Sequence, residues 1–142
     1  MSFHRDQLRP YLKGEHRTIT LDRFRVAAVA VIVTPNSKVL FMRRAVHESD
    51  PWSGHISFPG GRMEPTDASD KAAAMRETME EVGIPLEDAE YIGPLDEVRT
   101  IDPLPPIVIR PHLFFMKKMV APLINDEVAS IHYLSLHDLL AG

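Results

Sequence analysis

The segment from Phe58 to Ile84, FPGGRMEPTDASDKAAAMRETMEEVGI, constrains the fold most, because it joins a glycine turn to a helix with capping residues at both ends. Asp67 and Ser69 are both suitable N-caps, and acidic residues at this end suit the positive pole of the helix dipole. Gly83 is the residue type that commonly ends a helix. We therefore predict a helix over residues 69–82.

The predicted helix has two chemically different sides. At about 100° per residue, one stripe is apolar and is predicted to pack on the core; it comprises Ala72, Met75, Met79 and Val82. Roughly opposite lie three carboxylates, Glu77, Glu80 and Glu81. An exposed, solvated face would account for them. However, like-charged pairs at these spacings cost roughly 0.2–0.5 kcal/mol each, and Mg²⁺ prefers oxygen ligands. These two facts favour a metal site.

The end of this segment resembles the Nudix box. Residues 76–84, RETMEEVGI, follow the family pattern R-E-U-x-E-E-x-G-U, where U is a bulky aliphatic residue, and Gly61 supplies the first glycine of the box. Asp67 stands where the family has glutamate, eight residues rather than seven separate it from Arg76, and Thr78 occupies a U position. The FPGG lead-in and the longer spacer are similar to the coenzyme A diphosphatase branch.

The resemblance implies an α+β fold, the Nudix α/β/α sandwich around a mixed β-sheet, over residues 24–142, with residues 1–23 as an appendage. It implies metal-dependent hydrolysis of the pyrophosphate in a nucleoside diphosphate linked to another moiety. Among these compounds, coenzyme A or an acyl-coenzyme A is the leading candidate for the substrate. The alternatives are an ADP-ribose or other nucleotide-sugar pyrophosphatase, and a non-catalytic nucleotide-binding module. Three retained glutamates favour the enzyme.

By position in the box, the resemblance assigns Mg²⁺ or Mn²⁺ to the ligands Gly60, Glu77, Glu80 and Glu81. Glu80 and Glu81 are also predicted to be catalytic. Arg76 is predicted to orient the site by pairing with Asp67 or with a glutamate of the box. In many family members the general base lies on a loop outside the box, and Glu127 is the candidate here, although a box glutamate serves as base in some members.

Four basic side chains near the glycine turn are predicted to bind substrate phosphates: Arg43, Arg44, His55 and Arg62. Arginine can hold a phosphate through two parallel hydrogen bonds. Each arginine is equally well explained as a surface charge, and a single histidine such as His55 is more often structural. Trp52 is either a platform for a base or a packing anchor, and the proline-rich stretch 102–106 is either a connector or a pocket wall.

Composition narrows the partners. A net charge of −4 is not typical of a protein that binds nucleic acid. The longest apolar run, Val26–Val33, is too short to span a bilayer. We expect a cytoplasmic protein that acts on a small molecule. The family usually continues into a substantial C-terminal helix, whereas this chain stops at Gly142. Either the sequence is shortened at this end, or this layer is minimal and is completed by a second copy in a homodimer.

Hydrophobic patterning and turn residues predict the remaining elements. They are a strand hairpin over 24–34 and 38–43, strands over 90–99, 107–116 and 131–134, and a helix over 136–140. Pro111 is predicted to break or restart the strand over 107–116.

Overall fold

The computed structural model describes residues 25–48, 53–100 and 107–141. The strands are β1 (Arg25–Val33), β2 (Lys38–Arg44), β3 (Ile56–Ser57), β4 (Gly60–Arg62), β5 (Glu90–Pro94), β6 (Val98–Thr100), β7 (Ile107–Phe115) and β8 (Val128–Ser135). The helices are α1 (Asp70–Val82) and α2 (Leu136–Ala141), and a 3₁₀ turn spans Leu86–Asp88. Neither described α-helix is long and apolar enough to cross a membrane. The predicted appendage, Trp52 and the stretch 102–106 lie outside the described residues.

All eight strands belong to one mixed sheet. At its centre β1 runs parallel to β7 over its full length, from Arg25 opposite Ile107 to Val33 opposite Phe115. The predicted hairpin between β1 and β2 is confirmed, but the two strands share only the pair Val33 and Val39. Beyond this pair they diverge, because β4 takes the place beside β1 and β3 the place beside β2. The resulting gap in the sheet is where the candidate site lies.

Two separate cores show that the sheet is the middle of three layers. Alternate residues of β1, including Ala28 and Ile32, pack on the α1 side in a cluster that also contains Ala74 of the helix. Val31, on the opposite face of β1, belongs to a second cluster with Leu136 at the start of α2. This alternation is the expected behaviour of a strand that is buried on both faces. The predicted α/β/α arrangement around a mixed sheet is confirmed.

Helix α1 has the predicted ends. The Ser69 hydroxyl accepts a hydrogen bond from the N–H of Ala72 at 3.0 Å, and Gly83 ends the helix with φ of 68°. Such left-handed backbone is accessible to glycine at little cost. The first turn is tied to the sheet, since Asp70 lies 3.5 Å from the guanidinium of Arg110 on β7.

The predicted buried face of α1 is wrong by about a third of a turn, although Val82 is buried as predicted. The residues buried on the helix are Ala73, Ala74, Thr78, Glu81 and Val82. Met79, predicted to be core, is 53% exposed, whereas Glu81 is 1% exposed. The helix packs against β4, which contains two glycines, so polar atoms of that strand can receive Glu81. The hydroxyl of buried Thr78 donates a hydrogen bond to the Ala74 carbonyl at 2.7 Å. Its polar atom is therefore satisfied at a position where the Nudix box has a bulky aliphatic residue.

Strand β7 is continuous through Pro111, so the predicted break is wrong. The Pro111 carbonyl accepts from the N–H of Leu95 at 3.0 Å. In a strand, the N–H and C=O of one residue point to the same edge. Because the Pro111 carbonyl faces the interruption between β5 and β6, the missing N–H of this proline leaves no residue of the described strands without a partner. This interruption also means that the single strand predicted over 90–99 is two strands. Strand β8 begins at Val128 rather than at residue 131, because it pairs along all of β2.

Candidate active site

An open cleft of about 620 Å³ lies where β1 and β2 diverge, beside the C-terminal half of α1. Three chemically distinct groups of described residues line it. The acidic group consists of Glu64, Glu77, Glu80, Glu81 and Glu127. The hydrogen-bond donors come from β2, β4 and the segment around β3, and are Arg44, His55, Ser57 and Arg62. An aliphatic floor is formed by Ala27, Val29, Ile107 and Ile109.

Glu81 is the most deeply buried carboxylate of the cleft. The backbone N–H of Gly60 donates to its Oε1 at 2.8 Å, and Arg44 Nη1 lies 4.0 Å from its Oε2. Burial raises the pKa of Glu81 to about 8, and the Gly60 hydrogen bond lowers it only in part. A β-carbon at position 60 would lie 2.2 Å from the Ala28 carbonyl oxygen. Glycine is therefore required where β4 meets both β1 and Glu81.

Glu77 lies one helical turn before Glu81 and is 16% exposed. Burial raises its pKa as well, opposed by the hydrogen bond from Arg76. Its carboxylate lies so close to Gly61 that a β-carbon there would come within 2.7 Å of the Glu77 Cδ atom. Gly61 thus leaves space for the Glu77 carboxylate, whereas Gly60 leaves space for the backbone of β1.

Glu127 reaches the same place from a different element. The segment before β8 is attached to the end of α1, because the Asn125 N–H donates to the Glu81 carbonyl at 3.1 Å. The Asn125 side chain accepts from the Glu127 N–H at 2.9 Å, and the Glu127 carbonyl accepts from the Ala45 N–H at 2.8 Å. These hydrogen bonds hold Glu127 beside the helix although it is distant in sequence.

Oxygens of Glu77, Glu81 and Glu127 lie within 4.8 Å of one another. Three clustered carboxylates are hard oxygen donors that suit Mg²⁺ or Mn²⁺, and burial raises the pKa of both Glu77 and Glu81. The donor set therefore fits a divalent cation. Among the described residues Glu80 is outside this group of three, and its side chain is 54% exposed. Its predicted role as a ligand, and that of Gly60, remain predictions.

Arg76 connects several acids at the rim of the cleft. Its Nε and Nη2 atoms donate to the two carboxylate oxygens of Asp67 at 2.9 and 3.0 Å, and its Nη1 atom donates to Glu77 at 2.9 Å. A longer contact of 3.3 Å joins Nη1 to Glu80. Hydrogen bonding to Arg76 lowers the pKa of Asp67, and these partners raise the pKa of Arg76. The arginine therefore fixes the orientation of Glu77 from outside the group of three carboxylates.

The structure separates the four basic residues that were predicted to bind phosphate. Arg44, His55 and Arg62 line the cleft. Arg43 is exposed and is absent from the described lining, and its Nε donates to the Gly54 carbonyl at 3.2 Å. The bulge at Arg43/Arg44, where β2 shifts its register against β8, accompanies this divergence.

Sequence reasoning missed the aliphatic floor. Ala27 and Val29 alternate with core residues along β1. Ile107 and Ile109 are two residues apart on β7 and so share one face of that strand, where Ile109 lies opposite Ala27. Such spacing does not reveal that these two strands are neighbours or that this face borders a cleft. Ser57 was also missed, because a single serine in a two-residue strand carries no distinctive pattern.

Comparison with known proteins identifies the family. Residues 23–142 match the NUDIX domain, and the chain belongs to the Nudix family. An uncharacterized Nudix hydrolase, NudL, of Citrobacter koseri is 34% identical over 137 residues, which are 94% of this chain and 66% of NudL. An uncharacterized protein of Schizosaccharomyces pombe is 38% identical over 115 residues, which are 76% of this chain and 35% of that protein. The chain thus spans less than two thirds of the length of these relatives.

Solved structures share the fold. The Caenorhabditis elegans Ap4A hydrolase in a binary complex superposes with a TM-score of 0.68 at 20% identity, covering 82% of this chain and 84% of that one. The NUDIX domain of Shewanella oneidensis NrtR, complexed with ADP ribose, has a TM-score of 0.63 at 22% identity and covers 83% of this chain and 77% of that one. At these identities the likeness concerns the fold alone.

Proposed function

We propose that the protein is a metal-dependent pyrophosphohydrolase that cleaves a nucleoside diphosphate linked to another moiety. The observation that carries the proposal is the group Glu77, Glu81 and Glu127, which shares one cleft with Arg44 and Arg62. A pyrophosphate is an anion that needs positive charge on one side and a divalent cation on the other. A binding module without catalysis would not need three carboxylates beside its ligand.

The side chains divide the work between them. Glu77 and Glu81 would hold the cation, which would polarise the phosphoryl oxygens and offset the charge of the departing group. Glu127, the most exposed of the three, accepts a proton from the attacking water. Arg76 keeps Glu77 in place through its bond to Asp67. Arg44, His55 and Arg62 bind the phosphates, and Glu80 remains a proposed further ligand or catalytic group.

Coenzyme A or an acyl-coenzyme A is the proposed substrate. The aliphatic floor formed by β1 and β7 supports it, because a flexible, partly apolar group gains from contact with such a surface. The alternative is ADP-ribose or a related nucleotide derivative. A structural neighbour is complexed with ADP ribose, and another is an Ap4A hydrolase. The division into an appendage over 1–23 and a hydrolase domain over 24–142, the cytoplasmic location and the homodimer remain predictions.

A substrate panel tests the proposal. Purified protein is incubated with coenzyme A, an acyl-coenzyme A, ADP-ribose, dinucleoside polyphosphates and nucleoside triphosphates, each with Mg²⁺, Mn²⁺ or EDTA, and the phosphate-containing products are quantified. We expect hydrolysis at the pyrophosphate only with metal, and the highest kcat/KM with a coenzyme A derivative. Glu81→Gln is the matched negative control. Full turnover in EDTA would contradict the metal requirement, and faster turnover of ADP-ribose would select the alternative.

A further inference from the structure

Ser57 has an unusual environment for a buried hydroxyl. It lies in β3 opposite Met42, and facing residues of an antiparallel pair project from the same side of the sheet. Met42 packs in the core cluster that includes α1, so the Ser57 side chain lies on the side of the sheet that α1 covers. Its hydroxyl oxygen is buried and has no hydrogen-bond partner among residues 25–48, 53–100 and 107–141. A buried hydroxyl without a partner is costly, so the position calls for a ligand.

The position of Ser57 in the cleft indicates what such a ligand is. It lines the cleft together with Arg44, His55 and Arg62, all of which can donate hydrogen bonds. Two of the nearby carboxylates already have donors, since Glu81 accepts from Gly60 and Glu77 from Arg76. The Ser57 proton is therefore available on the donor side of the cleft.

We propose that Ser57 is a substrate-binding residue whose hydroxyl donates to a non-bridging oxygen of the substrate pyrophosphate. A phosphoryl oxygen only accepts, and it carries charge, so it matches an unused donor that lies near arginines. Rotation about one side-chain bond moves the hydroxyl among its three staggered positions and can turn it into the cleft. This inference deepens the proposed function and rests on it for the identity of the substrate.

The test uses Ser57→Ala and a ligand that needs no turnover. Methylenediphosphonate, a non-hydrolysable analogue of pyrophosphate in which a methylene group replaces the bridging oxygen, is titrated into the Mg²⁺-loaded protein by isothermal titration calorimetry. We expect its Kd to rise about tenfold in the variant, since a hydrogen bond to a charged group is lost. KM for the best substrate of the panel should rise similarly. The melting temperature of the metal-free variant should be equal to or higher than that of the wild type, because an unpaired hydroxyl has been removed.

Ser130→Ala is the matched control, since Ser130 lies on β8, outside the described lining of the cleft, and bonds to His132 at 2.8 Å. It should leave Kd and KM unchanged. Equal Kd values for wild type and Ser57→Ala would overturn the proposal, as would a wild type that binds no diphosphonate. A weaker affinity for Mn²⁺ in Ser57→Ala with unchanged diphosphonate binding would assign the hydroxyl to the metal shell and also overturn it. Failure of the substrate panel alone would contradict the proposed hydrolysis while the diphosphonate titration still tests Ser57.

Discussion

The metal-free protein should become less stable as the pH rises through the neutral range, because of Glu81. Its carboxyl has a pKa of about 8 in the folded protein, against an ordinary value of 4.5. Between these values the folded state binds more protons than the unfolded state, so the free energy of unfolding falls as the pH rises. Below this range both states are protonated and the carboxyl contributes no penalty. One pH unit corresponds to about 1.4 kcal/mol, so the total loss from this group is at most about 5 kcal/mol.

Glu81→Gln isolates this contribution. Glutamine has the same size, and its amide oxygen can still accept from the Gly60 N–H, but it does not ionise. Near pH 8 the metal-free variant should be more stable than the wild type by on the order of 2–4 kcal/mol, and the difference should vanish near pH 4.5. Glu80→Gln is the matched control, because Glu80 is 54% exposed and should leave the pH dependence unchanged.

Urea unfolding in EDTA, repeated between about pH 5 and about pH 8, measures these differences. A second series with Mg²⁺ should show the opposite trend for the wild type, because a cation binds the ionised carboxylate and its stabilisation grows with pH. The variant should show a smaller Mg²⁺ effect. Parallel stability curves for wild type and Glu81→Gln in EDTA would refute the argument that burial of this carboxylate controls the pH dependence.

Three further changes test the geometry of the cleft. Gly61→Ala places a methyl group 2.7 Å from the Glu77 Cδ atom, so kcat/KM should fall about 100-fold while circular dichroism shows a folded protein; unchanged kinetics would contradict this. Arg76→Lys removes the two-pronged bond to Asp67 and should lower stability by about 1–3 kcal/mol and kcat by at least about tenfold, measured by urea unfolding and turnover; full stability would be evidence against this pairing. Glu127→Gln should lower kcat by about 100-fold with a smaller change in KM; wild-type turnover would exclude it as the base.

Local chemistry made the ends of α1 predictable, whereas its orientation needed the tertiary structure. Capping by Ser69 and Gly83 acts within a few residues, so the sequence contains it. The buried side of the helix is decided by β4, where Gly60 offers an N–H to Glu81. Hydrophobic periodicity treats glutamate as a surface residue, so it placed Glu81 on the exposed side and Met79 on the buried side of the helix, whereas the structure shows the reverse.

The same distinction applies to the site. The glutamates of the box could be named from their spacing, but the contact between Glu127 and Glu81 depends on the segment that joins the end of α1 to β8. Likewise, Pro111 is tolerated in β7 only because the neighbouring strand is interrupted beside it. Sequence patterns describe one strand at a time, so neither the aliphatic floor nor the proline position could be derived from them.

The parallel pairing of β1 with β7 has a consequence for how the chain folds. These strands form the centre of the sheet, yet most of the residues that line the cleft lie between them in the sequence. Closing so long a loop is entropically costly and makes folding slow relative to hairpin formation. During synthesis, β1 has no parallel partner until β7 has left the ribosome, so α1 and its glutamates remain without a completed sheet until then.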